Sequence, residues 1–341
     1  MSIRQWKAAV VQSEPVWFDK EATLEKTKNF ILEAAANGAA LIAFPEVWIP
    51  GYPNFVWTGN FNENQPLVQK YMKNSITAYG PEIVSLRKMA KANNIFVGIG
   101  FSERENSSLY LAQMLISNEG EVLLHRRKLK PTHVERTIYG EATGDSLINV
   151  VETKLGRIGM LNCWEHLQPL LKFNTYAQGE QVHIACWPYD SGLAWSQLAS
   201  KMHALEGGTF VLSTNQITTE DGFKLNTEGQ TSPLGNYQNG IGGGRSVIYG
   251  PNGLPLTEPT NELFDGLIYA NIDLDSIINP KMTADPIGHY SRPDLMRLLI
   301  DDRPKSTVFK VSEEATSLHQ KPIPLTNTHK TFAEIIASES L

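Results

Sequence analysis

Arg157-Ile-Gly-Met-Leu-Asn-Cys163-Trp-Glu-His166 is the stretch on which the reading of this chain turns. Its apolar run reads as a strand that stops at a thiol, followed at once by an aromatic, an acid and an imidazole. A lone cysteine after such a run is ordinarily a small core residue. Two further segments change that reading. Leu41-Ile-Ala-Phe-Pro-Glu46 is an apolar run that ends in a carboxylate, and His125-Arg-Arg-Lys128-Leu-Lys130-Pro-Thr-His-Val-Glu135-Arg136 is a basic cluster with an acid inside it. A thiol is a poor nucleophile until a base or cation helps it lose its proton. Glu46, Lys128 and Cys163 each fall at or just past the end of a strand-like run, where side chains from separate strands can converge on one cleft. Cys186, in Val182-His-Ile-Ala-Cys186-Trp187-Pro188, is the competing thiol, with no acid or base close behind it.

Composition narrows the function classes. The 341 residues are 41% hydrophobic and 19% charged, as in a soluble globular protein, and can form one large domain or two. A net charge of −6 offers no field for nucleic acid or an acidic membrane surface. The opening Met1-Ser-Ile-Arg-Gln-Trp-Lys7 lacks the apolar stretch of a secretory signal, and no run reaches the length of a membrane span. Two cysteines in so long a chain argue for a reducing compartment and against a disulfide framework. The expectation is a cytoplasmic protein that binds neither nucleic acid nor membrane.

Working outward, Trp6 to Gln12 reads as a first strand, and residues 20–37 show helical spacing that stops at Gly38. Pro81 opens a second helix, Ile95 to Phe101 alternates as a strand, and Leu109 to Leu124 reads as a hairpin around Asn118-Glu-Gly120. The spacing then predicts a strand at 157–162, a helix at 167–178, a strand at 182–187, a helix at 196–206 and a strand at 209–213. A second hairpin is expected at Ser246 to Leu256, and a last strand at Gly266 to Ile272. Strands that follow one another without helices, mixed with clear helices, exclude a simple βαβ repeat and predict sheets with helices layered outside them. Gly240-Ile-Gly-Gly-Gly244 lacks the strand–loop–helix setting of a phosphate cradle and reads as a flexible loop. The expected organisation is a single domain over 1–300 and a polar tail over 301–341.

With Phe44-Pro-Glu46, Arg127-Lys128-Leu-Lys-Pro-Thr and Asn162-Cys163-Trp-Glu-His166 in view, the chain resembles the nitrilase family of carbon–nitrogen hydrolases. Further matches are Pro50-Gly-Tyr52-Pro53, Ser108-Leu-Tyr110, His133-Val-Glu135-Arg136, His203-Ala-Leu-Glu206-Gly and Gly288-His-Tyr-Ser-Arg-Pro-Asp294, so the likeness runs over residues 5 to 300. It implies an α/β fold, a four-layer α-β-β-α sandwich, with a Glu–Lys–Cys triad. Position by position, Cys163 matches the nucleophile, Glu46 the general base, Lys128 (which directly follows the arginines) the catalytic lysine, and Glu135 a further active-site acid. Tyr52, Trp164 and Trp187 are candidates to line a substrate pocket. Glu165 and His166 are placed beside them, with the orienting of neighbouring loops as their favoured role, since the Glu–Lys pair already provides base and cation. Gly140-Glu-Ala-Thr-Gly144 departs from the tighter glycine–acid–glycine turn of relatives, which bears on the loop near the lysine and not on the triad.

The resemblance implies hydrolysis of an organic nitrile to acid and ammonia through a thioimidate and an acyl-thioester on Cys163. Cyanide hydration or amide hydrolysis on the same fold is the alternative, and a non-catalytic assembly protein the remoter one. No cofactor or metal is expected, since the histidines show no ligand spacing. The only partners expected are the small-molecule substrate and copies of the chain itself, because family members form dimers and larger spirals.

Overall fold

A computed structural model describes residues 3–190, 194–230, 241–258 and 260–305 of the chain. Two mixed sheets carry it. The first is built from β1 (Gln5–Gln12), β2 (Ala39–Ala43), β3 (Phe96–Glu105), β4 (Ser108–Ile116), β5 (Val122–Arg127) and β11 (Gly266–Asp273), in the order β11-β1-β2-β3-β4-β5. The second contains β6 (Val150–Thr153), β7 (Gly156–Asn162), β8 (Val182–Trp187), β9 (Phe210–Asn215) and β10 (Val247–Tyr249), in the order β10-β9-β8-β7-β6. Each sheet has a parallel centre, β1–β2–β3 and β7–β8–β9, flanked by antiparallel strands. Parallel neighbours need long crossovers. These are supplied by α1 (Lys20–Ala36), α3 (Pro81–Ala92), α4 (Pro169–Ala177) and α5 (Trp195–Gly207).

Period-two alternation sorts the strand side chains into layers. Ala8, Val10, Leu41, Ala43, Met160, Ile184, Cys186 and Leu212 pack between the sheets. Their neighbours Ala9, Val11, Ile42 and Phe44 face outward against Phe30, Ile31 and Ala34 of α1 and Ile83, Leu86 and Ala90 of α3. On the far side Ala185, Trp187 and Val211 pack on Ala199 and Ala204 of α5. The result is the four-layer α-β-β-α sandwich. Polar bonds pin the two sheets in register: Gln113 Nε2 donates to the Leu161 carbonyl (3.0 Å) and the Thr214 hydroxyl to the Val11 carbonyl (2.6 Å).

Several elements differ from the sequence reading. α2 (Phe61–Asn74) and α6 (Glu220–Thr227) are absent from it. In α2, Pro66 and a polar first half mask the helical period, although Asn60 and Glu63 form a full capping box at its start. The helix expected from 167 is a 3-10 turn, Cys163–Leu167, before α4 begins at Pro169. The second arm of the hairpin around Pro251-Asn-Gly253 is a single bridge, Tyr249 to Pro255, because Pro255 has no N–H for a ladder. Gly242, in the expected flexible loop, bridges Thr218, and Gly240 lies outside the described residues. Residues up to Asp302 make one compact unit. Beyond Lys305 the expected polar tail lies outside the described residues. No helix among the described residues is long and apolar enough to cross a membrane.

Candidate active site

Three chain segments leave their strands at the same end of the sandwich. Glu46 follows β2, Lys128 follows β5 and Cys163 follows β7. The Glu46 N–H donates to the Trp187 carbonyl at the end of β8 (3.3 Å), which ties the first of these to the second sheet. Gln216 holds the same turn: its side-chain amide donates to the Glu46 carbonyl and accepts from the Tyr52 N–H.

β5 shows why the lysine enters the interior. Along His125-Arg126-Arg127-Lys128 the faces alternate. His125 and Arg127 pair with Glu103 on one side, at 2.7 and 2.5 Å, while Arg126 and Lys128 turn inward. Lys128 Nζ donates to Glu46 Oε1 and Glu135 Oε2, both at 2.9 Å, and all three side chains are buried. Glu135 Oε2 also accepts from the Thr132 N–H (2.6 Å), and Oε1 accepts from the Tyr52 hydroxyl (3.0 Å). Glu46 Oε2 is buried and makes no hydrogen bond among the described residues. Lys130 projects to the surface and pairs with Glu141.

Electrostatics follow from one cation shared by two carboxylates. Burial pushes Glu46 up; Lys128 opposes that and Glu135 adds to it, leaving the carboxyl at about 8. Burial alone would lower Lys128, but Glu135 and Glu46 outweigh it and hold the ammonium charged. Burial also drives the Cys163 thiol up against the pull of Lys128, with Glu46 and Glu135 reinforcing the rise. The thiol therefore holds its proton at neutral pH, and it lies within electrostatic reach of the raised Glu46 carboxyl.

Cys163 has φ 47°, in the left-handed region, strained for a residue with a Cβ. The chain turns sharply out of β7 there, so the thiol leaves the sheet instead of continuing along it. It sits half-buried in a cavity of about 120 Å³ that is walled by Tyr52, Trp57, Trp164, Trp187, Tyr189 and Trp195, with Glu135 at its polar side. Trp57, Tyr189 and Trp195 were not foreseen. The clustering of Trp187, Tyr189 and Trp195 just past β8 is the signal that marks two of them.

Glu165 and His166 have no face in this cavity. Glu165 is committed to a bidentate pair with Arg126 (2.7 and 2.8 Å) and to the N–H groups of Leu129 and Asn162, both at 2.9 Å. Burial would raise its pKa, yet Arg126 and those N–H groups hold it below the usual carboxylate value. It ties the lysine loop to the cysteine turn. His166 is buried behind the turn, its Nδ1 2.7 Å from the Cys163 carbonyl oxygen. The structure places neither beside this cavity: each points into its own hydrogen-bond set. Cys186 lies between the sheets, fully buried, with its thiol pushed up to about 12 by burial, and both cysteines are free. Although no sequence spacing announces it, the fold also brings donor atoms of Glu180, His183 and His203 within 4.8 Å of one another.

Residues 7–281 match the carbon–nitrogen hydrolase family. The chain is 44% identical over 321 residues to an arylacetonitrilase of Hypocrea virens, covering 90% of this chain and 95% of that one. It is equally 44% identical over 326 residues to a cyanide hydratase of Leptosphaeria maculans, covering 90% of each. Among solved structures the fold resembles the NitFhit protein of C. elegans, with TM-score 0.70 and 19% identity over 90% of this chain and 70% of that one. It also resembles an amidase from Nesterenkonia sp., with TM-score 0.60 and 18% identity over 80% and 92%. The chain belongs to the carbon–nitrogen hydrolase family, in its nitrilase branch, and is a hydrolase of carbon–nitrogen bonds.

Proposed function

We propose that the protein is a nitrilase that converts an organic nitrile and two waters into a carboxylic acid and ammonia, with Cys163 as nucleophile, Glu46 as general base, Lys128 as the charge-stabilising cation and Glu135 as its partner. The observation that carries this reading is the sharing of one buried ammonium between Glu46 and Glu135, which leaves Glu46 Oε2 without a hydrogen bond among the described residues, within electrostatic reach of the Cys163 thiol. Glu46 takes the Cys163 proton as sulfur bonds to the nitrile carbon and passes it to the nitrogen, giving a thioimidate and a free carboxylate. Water, deprotonated by Glu46, adds to that carbon, and the proton returns through Glu46 to the nitrogen, which leaves as ammonia to give an acyl-thioester. A second water releases the acid and restores the thiol. Lys128 has three N–H bonds and two are in the carboxylate pairs, so the third serves the charge that develops in each tetrahedral state.

The aromatic walls favour an aryl or small aliphatic nitrile. A cavity of roughly 150 Å³ takes up benzene, so about 120 Å³ fits one ring or less. Cyanide is the second reading, favoured by the identity to a cyanide hydratase, which equals that to an arylacetonitrilase. The protein is incubated in parallel with phenylacetonitrile, an aliphatic nitrile, cyanide and phenylacetamide, product release is measured, and trapped protein is weighed by mass spectrometry. An acyl adduct on the Cys163 peptide with acid and ammonia from a nitrile supports the reading. Turnover of cyanide alone moves the substrate, and turnover with no adduct on Cys163 removes the mechanism. Self-association belongs to the same proposal: Leu198, Met202 and Leu205 are exposed along one side of α5, and a strictly monomeric sedimentation profile removes it.

A further inference from the structure

Behind the cysteine turn lies a buried polar chain that the reaction above does not use. The Cys163 carbonyl oxygen is 2.7 Å from His166 Nδ1, His166 Nε2 is 2.9 Å from His183 Nε2, and His183 Nδ1 is 2.5 Å from Glu180 Oε1. Glu180 Oε2 is 2.8 Å from His203 Nε2. All four side chains are at most 2% exposed. The backbone makes room for the acid: a Cβ on Gly159 of β7 would collide with Glu180 Oε1.

Proton accounting along this chain starts at the carbonyl, which can only accept. His166 Nδ1 must therefore carry a proton, and a neutral His166 then accepts at Nε2. His183 must donate from Nε2, which leaves Nδ1 as an acceptor. Only a protonated Glu180 can donate to it, and the other carboxyl oxygen of Glu180 accepts from His203 Nε2–H. The bare nitrogen left over is His203 Nδ1, which is buried and makes no hydrogen bond among the described residues. Burial lowers His166 well below its usual value and takes His183 and His203 to about 3, while it raises Glu180, so each group favours its neutral form.

We propose that Glu180, His183 and His166 are positioning residues: a neutral, buried hydrogen-bond chain that fixes the Cys163–Trp164 peptide and so aims the Trp164 N–H at the nucleophile sulfur. The peptide is planar and trans, so its C=O and N–H point in opposite directions, and holding one aims the other. The Trp164 backbone N–H favours the Cys163 thiolate. The left-handed φ of Cys163 is a conformation that needs such an anchor. His166 also stacks on Trp187 at 4.8 Å, so the same chain steadies one wall of the cavity. The proposal rests on Cys163 being the nucleophile.

The test compares Glu180→Gln, Glu180→Leu, His166→Asn and His166→Ala in the full chain, measuring kcat, KM and the rate at which iodoacetamide alkylates Cys163. A glutamine amide donates to His183 and accepts from His203, so Glu180→Gln keeps kcat within about 3-fold, whereas Glu180→Leu and His166→Ala lose about 100-fold in kcat and slow alkylation, with KM little changed. Asparagine returns a donor to the Cys163 carbonyl, so His166→Asn recovers to within about 10-fold. Folded Glu180→Leu and His166→Ala variants that alkylate and turn over as wild type overturn the proposal. So does a Glu180→Gln variant as impaired as Glu180→Leu, which would mean the carboxylate charge is needed, and so does stoichiometric zinc lost on substitution of Glu180. If Glu180→Leu does not fold, nitrogen-15 NMR of the histidines in the wild-type protein decides: neutral rings with Nδ1–H on His166 and Nε2–H on His183 support the chain, and an imidazolium at His183 overturns it. Failure of wild-type Cys163 to form any adduct counts instead against the proposed function.

Discussion

The two cysteines stand at the ends of neighbouring parallel strands, and a single residue of register separates their fates. Asn162 of β7 lies opposite Cys186 of β8, so Cys163 comes level with Trp187. Strand alternation sends Cys186 between the sheets, where burial raises its thiol, while Cys163, just past the end of β7, is turned by its left-handed backbone to the outer face with Trp187. Both thiols have raised pKa values, so acidity does not distinguish them. What differs is company: Cys163 feels the pull of Lys128, which Glu46 and Glu135 share, whereas Cys186 is fully buried between the sheets against the Phe44 carbonyl. Reactivity here is a matter of which face of a sheet a residue falls on, and where its strand stops.

The comparison breaks most visibly by removing each sulfur in turn. Cys163→Ala should lower turnover by at least ~10⁴-fold with the fold intact, as for loss of other essential nucleophiles. Cys186→Ala should leave turnover unchanged and destabilise by only about 1 kcal/mol. Nitrile assays with thermal melts on both variants check this, and an active Cys163→Ala protein would reverse the assignment. Next in size, Lys128→Met leaves two carboxyl groups buried without their cation. Activity should fall by ~10²–10³-fold, and if both stay ionised the fold should lose about 3–5 kcal/mol, read by denaturant titration beside the assay.

A pH profile sharpens the contrast between the sites. Glu46 must be ionised to accept the thiol proton, and its carboxyl sits at about 8. The acid form is inactive as base, so kcat/KM should rise as pH increases through about 8 and fall about tenfold per unit below it. A profile flat from pH 5 to 9 would exclude Glu46 as the base. The smallest effect expected is that of Tyr52→Phe, which removes the hydroxyl bonded to Glu135 (3.0 Å). The loss of about 1 kcal/mol should appear as a roughly fivefold fall in kcat/KM, measured by initial rates.

Local pattern carried much of the architecture into view. The strands at Trp6–Gln12, 157–162 and 182–187 and the helix opened by Pro81 announce themselves through period and end signals that depend only on near neighbours. α2 failed that test because its apolar residues Leu67 and Tyr71 pack on a cluster drawn from Phe18, Phe55, Leu109, Leu111 and Tyr139, a surface that its own sequence does not describe. Glu165 shows a related limit of local reading. Its proximity in sequence to Cys163 put it beside the substrate, but its partner Arg126 lies 39 residues away and turns it aside.

The sequence by itself determined the family, the layered α/β plan and the residue types able to perform hydrolysis, because motif and periodicity are local properties. Only the tertiary structure decided which groups meet: Lys128 with Glu46, 82 residues earlier, and the Glu180–His183–His166 chain at the back of Cys163. Such meetings depend on sheet register and on burial. A buried carboxyl, imidazole or ammonium takes its charge state from whatever the fold packs against it, and no stretch of sequence contains that neighbour.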